Sequence, residues 1–122
     1  GRKDAYNVLK HRGDVEFITT SFIRGVTLND CIIIVDEMQN MSGHELDSII
    51  TRVGKNCRII FCGDFRQTDF TKENDKSGLL KFIEITKRMN SFEFVDFDED
   101  DIVRSGLVKS YIIQKEKMGI KL

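Results

Sequence analysis

The stretch "CIIIVDEMQN", Cys31 to Asn40, decides the reading of the fold. Its first half is a continuous apolar run, mostly β-branched. Such a run suits a strand buried on both faces, as in a parallel sheet. Burial does not explain the second half, where the run meets two adjacent carboxylates, Asp36 and Glu37. In open parallel sheets, ligands bind outside the carboxyl ends of the strands. The pattern therefore sets Asp36 and Glu37 at the functional edge of such a sheet.

Working outward, "SGHELDSIITRVG" (Ser42 to Gly54) is the clearest helix. Ser42 caps it and Glu45, three residues on, completes a capping box. Leu46, Ile49, Ile50 and Val53 share one apolar face, and Gly54 stands at the usual stop position. "RIIFC", Arg58 to Cys62, then reads as a second buried strand. Strand, helix, strand at this length is a βαβ unit, right-handed almost without exception. Further strands are expected at Val15 to Thr19 and at "FEFVDF", Phe92 to Phe97. Helices are expected at Ser77 to Arg88, with Leu79, Phe82, Ile83 and Ile85 as apolar contacts, and at Leu107 to Lys117, with Leu107, Val108, Tyr111 and Ile112 inward. The acidic run Asp98 to Asp101 favours a helical turn. The expected class is α/β, a parallel sheet with flanking helices.

Composition bounds the function. The 122 residues are 40% apolar and 32% charged, ordinary for one soluble globular domain with a real core. No apolar run reaches the roughly 20 residues that span a bilayer, and the polar N-terminus lacks a signal-peptide apolar region. The first residue is Gly1 rather than Met, which suggests processing or excision from something longer. Cys31, Cys57 and Cys62 form no CxxC pair, and with only His11 and His44 to help, reduced thiols of a cytosolic protein are expected rather than zinc. The net charge of −1 gives no basic excess, so nucleic-acid binding would need a local patch. Lys10 with Arg12, and Lys109, Lys115, Lys117 and Lys121, are the candidates. A solvated charged face is the plainer reading of each.

Three segments carry candidate chemistry. A carboxylate such as Asp36 can hold Mg²⁺ beside substrate phosphates. A second one, Glu37, can orient or deprotonate an attacking water. The plainer alternative is that Asp36 ends the strand and Glu37 faces solvent. The second strand ends in "FCGDFRQTD", where Gly63 permits a tight turn or close approach, Asp64 offers a carboxylate and Gln67 a donor and acceptor. A polar loop is the alternative. In "DEDDIVRSG", Arg104 could stabilise a transferring phosphoryl group, or pair with Asp100 or Asp101.

Together these stretches resemble the PhoH-like family of P-loop ATPases, related to superfamily-1 helicase motors. "FIRGVTLNDCIIIVDEMQNMSGHELDSIITRVGKNCRIIFCGDFRQTDF" is similar to that family's Walker B and sensor region, and "DIVRS" followed by "LVKSYI" to its C-terminal arginine motif. The resemblance implies that Asp36 is the Walker B magnesium carboxylate and Glu37 the catalytic glutamate. It implies that Asp64 and Gln67 belong to the sensor motif, with Gln67 near the γ-phosphate. It implies that Arg104 contacts nucleotide across a subunit boundary or within the chain. Arg24 and Gly25 match an "RG" stretch upstream of Walker B. Phe65 stands where the family often has Pro, and Met38 where it often has Ala.

The G-x-x-x-x-G-K-[ST] loop that cradles phosphates is not in this sequence. Its only Gly-Lys, Gly54-Lys55, is followed by Asn56 and preceded by a helix. Residues 1–122 therefore resemble the C-terminal portion of such an ATPase, a partial RecA-like P-loop NTPase core. The resemblance implies ATP and Mg²⁺ as ligands of the intact protein, coupling to RNA or single-stranded nucleic acid, and the cytoplasm of a bacterial or phage-infected cell. Without an N-terminal strand, an exposed sheet edge or apolar face is expected to invite self-association, and the lack of a spanning apolar run argues against a membrane partner. The competing expectation is a non-catalytic α/β binding or assembly module. A receiver-like phosphoacceptor domain is disfavoured, because Phe92 to Phe97 is followed only by acids where a lysine is wanted.

Overall fold

In the computed structural model, β1 (Ile32–Val35) and β2 (Arg58–Phe61) lie side by side in parallel. Ile32 stands opposite Arg58 and Val35 opposite Phe61. The structure describes residues 4–20, 25–64 and 73–122, without the side chains of 73–77. The helix α2 (Gly43–Ile50) connects the two strands, and α1 (Ala5–His11), α3 (Glu73–Lys87) and α4 (Gly106–Met118) complete the regular elements. The class is the expected one, α/β with a parallel strand pair and flanking helices, consistent with a partial RecA-like core.

The expected capping box starts α2. Ser42 Oγ accepts the Glu45 backbone N–H at 3.1 Å, and Glu45 Oε1 accepts the Ser42 N–H at 3.4 Å. Two donors that the first helical turn leaves orphaned are thereby satisfied. Leu46 and Ile49 point inward and are buried with Val35, Met38, Leu79 and Phe82. The Phe61 and Phe82 rings meet edge to face, 5.2 Å apart.

Gly54 is not the helix stop. Helix α2 ends at Ile50, with Thr51 still in the right-handed region. Gly54 instead donates its N–H to Leu28 O at 2.7 Å. A Cβ there would run into Asn29 Oδ1 and lie 2.7 Å from Leu28 O, so the glycine serves close backbone approach.

The described residues divide into two units, Gly1–Phe82 and Ile83–Leu122, and the strand pair belongs to the first. Three expectations are corrected. Val15 to Thr19 forms no strand; Phe17 is 77% exposed and rests edge-on against Tyr6. Phe92 to Phe97 is not a buried strand either, and Val95 is 76% exposed. Among the described residues the sheet holds only β1 and β2, and β-branched or aromatic composition makes no strand without a neighbour to share hydrogen bonds. The two strands that do form are covered on one face rather than two. Val35 is buried, while Ile32 and Ile34 are 67% and 66% exposed and Ile60 is also open.

In the second unit the Asp98 to Asp101 run makes the expected turn, a 3-10 helix over Glu99–Asp101. Its capping box is formed by Asp98 and Asp101. Helix α4 ends at Gly119, whose φ of +65° suits glycine. Its expected inward face is not buried: Leu107 is 83% exposed, and Val108 and Tyr111 are exposed too. Ile112 is half-buried. In α3, Leu79 and Phe82 are buried as expected, but Ile85 is exposed. No helix among the described residues is long and apolar enough to cross a membrane.

Candidate active site at two strand ends

Parallel pairing fixes where the two strand ends emerge. Cys62 N–H donates to Val35 O at 2.8 Å, and Met38 N–H donates back to Cys62 O at 2.9 Å. The pairing thus runs one residue past β2, to Cys62, which also binds Met38, three residues past β1, and it delivers Asp36, Glu37, Gly63 and Asp64 to one edge. Asp36 and Glu37 are exposed there, and Asp64 is half-buried.

The chain turns sharply at Glu37. Its φ of +55° and ψ of +42° lie in the left-handed region, which a side chain other than Gly enters at a cost of roughly 1–3 kcal/mol. Asp36 Oδ1 accepts the Glu37 N–H at 2.9 Å. The 3-10 turn Met38–Asn40 follows, closed by Asn40 N–H on Glu37 O at 3.0 Å. Strain of this kind persists only where neighbours over-determine it.

The neighbour that does so is Gln39, which is buried. Its Nε2 donates to Glu37 Oε2 at 2.6 Å, and its Oε1 accepts the Asp64 backbone N–H at 3.1 Å. The amide orientation follows from its partners, since a carboxylate needs a donor and an N–H needs an acceptor. Asn40 Nδ2 adds a longer contact to the same Glu37 oxygen at 3.4 Å. One amide therefore aims the Glu37 carboxylate and ties it to the second strand end.

Gly63 makes room for this arrangement. A Cβ there would fall 2.7 Å from Met38 Cγ and 2.9 Å from Gln39 Oε1. Its expected role of close approach is met by the chain itself. Met38, at a position where the resemblance suggested Ala, is buried against it.

The structure thus brings together Asp36, Glu37 and Asp64. Gln67, Arg24, Phe65 and the rest of "FRQTD" lie outside the described residues. Gly25 has a φ of +79° with open space around it, so its conformation alone calls for glycine. Arg104 belongs to the second unit, is exposed, and makes no ion pair with Asp100 or Asp101. The residue that the sequence reading missed is Gln39. The sequence shows only its residue type, an amide able to donate and accept at once, three positions beyond the strand-ending Asp36; its partner at Asp64 is set by the fold.

Among the described residues no three His, Cys, Asp or Glu side chains cluster as an all-protein metal cage. Mg²⁺ does not require one, being held through one or two carboxylates plus water and phosphate. The exposed Asp36 fits that donor set.

Comparison with known proteins bears on the family of the chain. The family model described as PhoH-like protein matches residues 2–115. A PhoH-like protein of Bacillus subtilis (strain 168) is 34% identical over 111 residues, covering 91% of this chain and 34% of that protein. A PhoH-like protein of Synechocystis is 34% identical over 109 residues, covering 89% and 33%. Protein PhoH of Escherichia coli K12 is 33% identical over 95 residues, covering 78% and 27%. The chain spans about a third of the length of the curated relatives it matches. With 114 of its 122 residues inside the family match, this chain belongs to the PhoH-like protein family.

Proposed function

We propose that this chain supplies the magnesium- and water-holding half of an ATP-hydrolysing site. The observation that carries the reading is the Gln39 bridge, which fixes the Glu37 carboxylate beside Asp36 and links it to Asp64. A general base works when it is held within hydrogen-bond reach of the water it activates. Asp36 would hold Mg²⁺, which when bound neutralises charge on the phosphates. Glu37 orients the attacking water and accepts its proton. Gln67 stands near the γ-phosphate and Arg104 reaches the nucleotide in this reading, both by family resemblance. Coupling to RNA or single-stranded nucleic acid rests on the same resemblance, as does a cytoplasmic setting.

Phosphoryl transfer depends on positioning and charge neutralisation. The 122-residue chain, whose sequence carries no G-x-x-x-x-G-K-[ST] loop, is expected to hydrolyse ATP negligibly by itself. Calorimetric titration with Mg·ATP tests its binding directly. One-site binding would make the chain a nucleotide-binding unit; no binding would make it half of a divided site. In a longer protein that includes a phosphate-binding loop, Glu37→Gln should abolish turnover and spare nucleotide binding. Unchanged turnover would remove Glu37 from the mechanism.

A second reading, an assembly module, draws on a different observation. Ile32, Ile34 and Ile60 expose an apolar face on the strand pair. Exposed apolar patches favour association. Sedimentation should show self-association that Ile34→Lys weakens; a monomer at high concentration would exclude it.

A further inference from the structure

Cys31 and Cys57 stand immediately before β1 and β2, at the end opposite the candidate active site. Ile32 pairs with Arg58, so the two cysteines occupy neighbouring positions one residue earlier in the same register. Their Sγ atoms are 3.8 Å apart, in contact without a bond. Arg58 N–H donates to Cys31 O at 3.1 Å, which ties the two backbones together at that point. Adjacent strands run about 4.8 Å apart, inside the Cα separations of about 4.4–6.8 Å that disulfides span.

The segments leading into the two cysteines are also matched. Asp30 and Asn56 are both in the left-handed region, with φ of +55° and +56°. Asn56 Nδ2 donates to Asp30 Oδ1 at 3.0 Å, Asp30 N–H donates to Lys55 O at 2.9 Å, and Lys55 N–H donates to Asn29 Oδ1 at 2.9 Å. This frame sets the two sulfurs side by side; the Cys57 thiol also donates to Leu28 O at 3.1 Å and Lys55 O at 3.4 Å, and closure requires it to leave those carbonyls and turn to Cys31. Both cysteines are half-buried and so within reach of a small oxidant. Cys62 has no such neighbouring thiol among the described residues.

We propose that Cys31 and Cys57 are a reversible thiol–disulfide site, closed by a peroxide-class oxidant and reopened by a dithiol. The steps balance. One thiolate attacks a peroxide oxygen, the O–O bond breaks, and water leaves after protonation, giving a sulfenic acid. The second sulfur attacks the sulfenic sulfur, the S–O bond breaks, and hydroxide leaves with the second thiol's proton as water. Two thiols and one peroxide thus become one disulfide and two waters. The Cys31 thiol is pushed up from its ordinary value, chiefly by burial and then by Cys57. Cys31 therefore rests as a thiol at neutral pH, and its attack on the peroxide accelerates as pH rises and its thiolate forms.

The bond would cross-link the starts of β1 and β2, positions 26 residues apart in sequence, without touching Asp36, Glu37 or Asp64. It would lock the strand pair at the end away from the site.

The test uses the 122-residue chain treated with hydrogen peroxide and digested with trypsin under non-reducing conditions. The expected product joins the peptide containing Cys31, residues 25–52, to the peptide containing Cys57, Asn56–Arg58, and dithiothreitol separates them. Free thiols fall from three to one. Cys62→Ser leaves the joined peptide intact, and Cys57→Ser abolishes it. Because the latter variant could unfold, the wild-type peptide map stands as the deciding readout. Hydrogen exchange of the β1 and β2 amides should slow in the oxidised chain. Cross-links only between molecules, oxidation of Cys31 or Cys57 to sulfinic acid without the joined peptide, or no reaction at all would each overturn the proposal.

Discussion

The Asp64 backbone N–H ends on the side-chain oxygen of Gln39, 3.1 Å away, so the turn after β1 holds the end of β2. The same amide donates to Glu37 at 2.6 Å. Gln39→Leu keeps the volume near that of the native side chain and removes both bonds. Glu37 is exposed and regains water, whereas the part-buried Asp64 N–H loses its acceptor. A donor left unsatisfied costs about 1–3 kcal/mol. Urea unfolding of the chain should show a loss in that range. A change below about 0.5 kcal/mol, the scatter typical of surface substitutions, would mean that the bridge is not maintained in solution.

Gln39→Glu makes a sharper test, because its effect depends on pH. A protonated carboxyl at this position can donate to Glu37 and accept from Asp64, much as the amide does. Ionised, it would face the Glu37 carboxylate and offer no donor. Burial and that neighbour both raise the folded-state pKa of the new group above the ordinary value of about 4.3. The folded chain then binds more protons than the unfolded chain, and stability falls as pH rises through this window. The variant should match the wild type most closely below about pH 4 and diverge steadily toward neutrality. Parallel stability curves for the two proteins would refute the stated contact with Glu37.

Gly63→Ala probes the same network from the other strand. Its Cβ would meet Met38 Cγ at 2.7 Å and Gln39 Oε1 at 2.9 Å. Overpacking of this kind costs about 1–3 kcal/mol. Met38 is flexible and can yield, whereas Gln39 is held by two partners. The substitution should therefore couple to both residues. A double-mutant cycle with Met38→Ala is expected to show non-additivity of about 0.5 kcal/mol or more, and additive effects would place the two side chains out of contact.

Much of this arrangement was legible in the sequence. Ser42 with Glu45 announced the start of α2, and the two apolar runs announced the parallel pair, because caps and uninterrupted apolar runs are local signals. The carboxylates at the strand ends followed from the direction of those strands. Gln39 was not legible, since its role depends on a backbone N–H 25 residues away. Gly54 misled for the same reason: a glycine after a helix suggests a stop, and only the tertiary contact with Leu28 and Asn29 shows its use. Phe92 to Phe97 and Val15 to Thr19 have strand composition but no ladder among the described residues. Composition reports what a strand prefers, while hydrogen-bond partners decide whether one exists.

Gly43 of α2 and Gly78 of α3 meet backbone to backbone. A Cβ on Gly43 would lie 2.7 Å from Gly78 Cα, and one on Gly78 would lie 2.9 Å from Gly43 N. Every obstructing atom is backbone, so no side chain can rotate away, and accommodation requires the helices to separate. Separation would loosen the packing around Leu46 and Leu79, both fully buried, and Leu79 directly follows Gly78. Alanine usually stabilises a helix interior relative to glycine by about 0.5–1 kcal/mol. Here the packing penalty of about 1–3 kcal/mol should outweigh that gain. Gly43→Ala and Gly78→Ala are each expected to lower the urea midpoint. The double variant should fall short of the summed losses, because the first substitution already drives the helices apart. Stabilisation by either alanine would show that propensity governs these positions and that the two backbones do not meet.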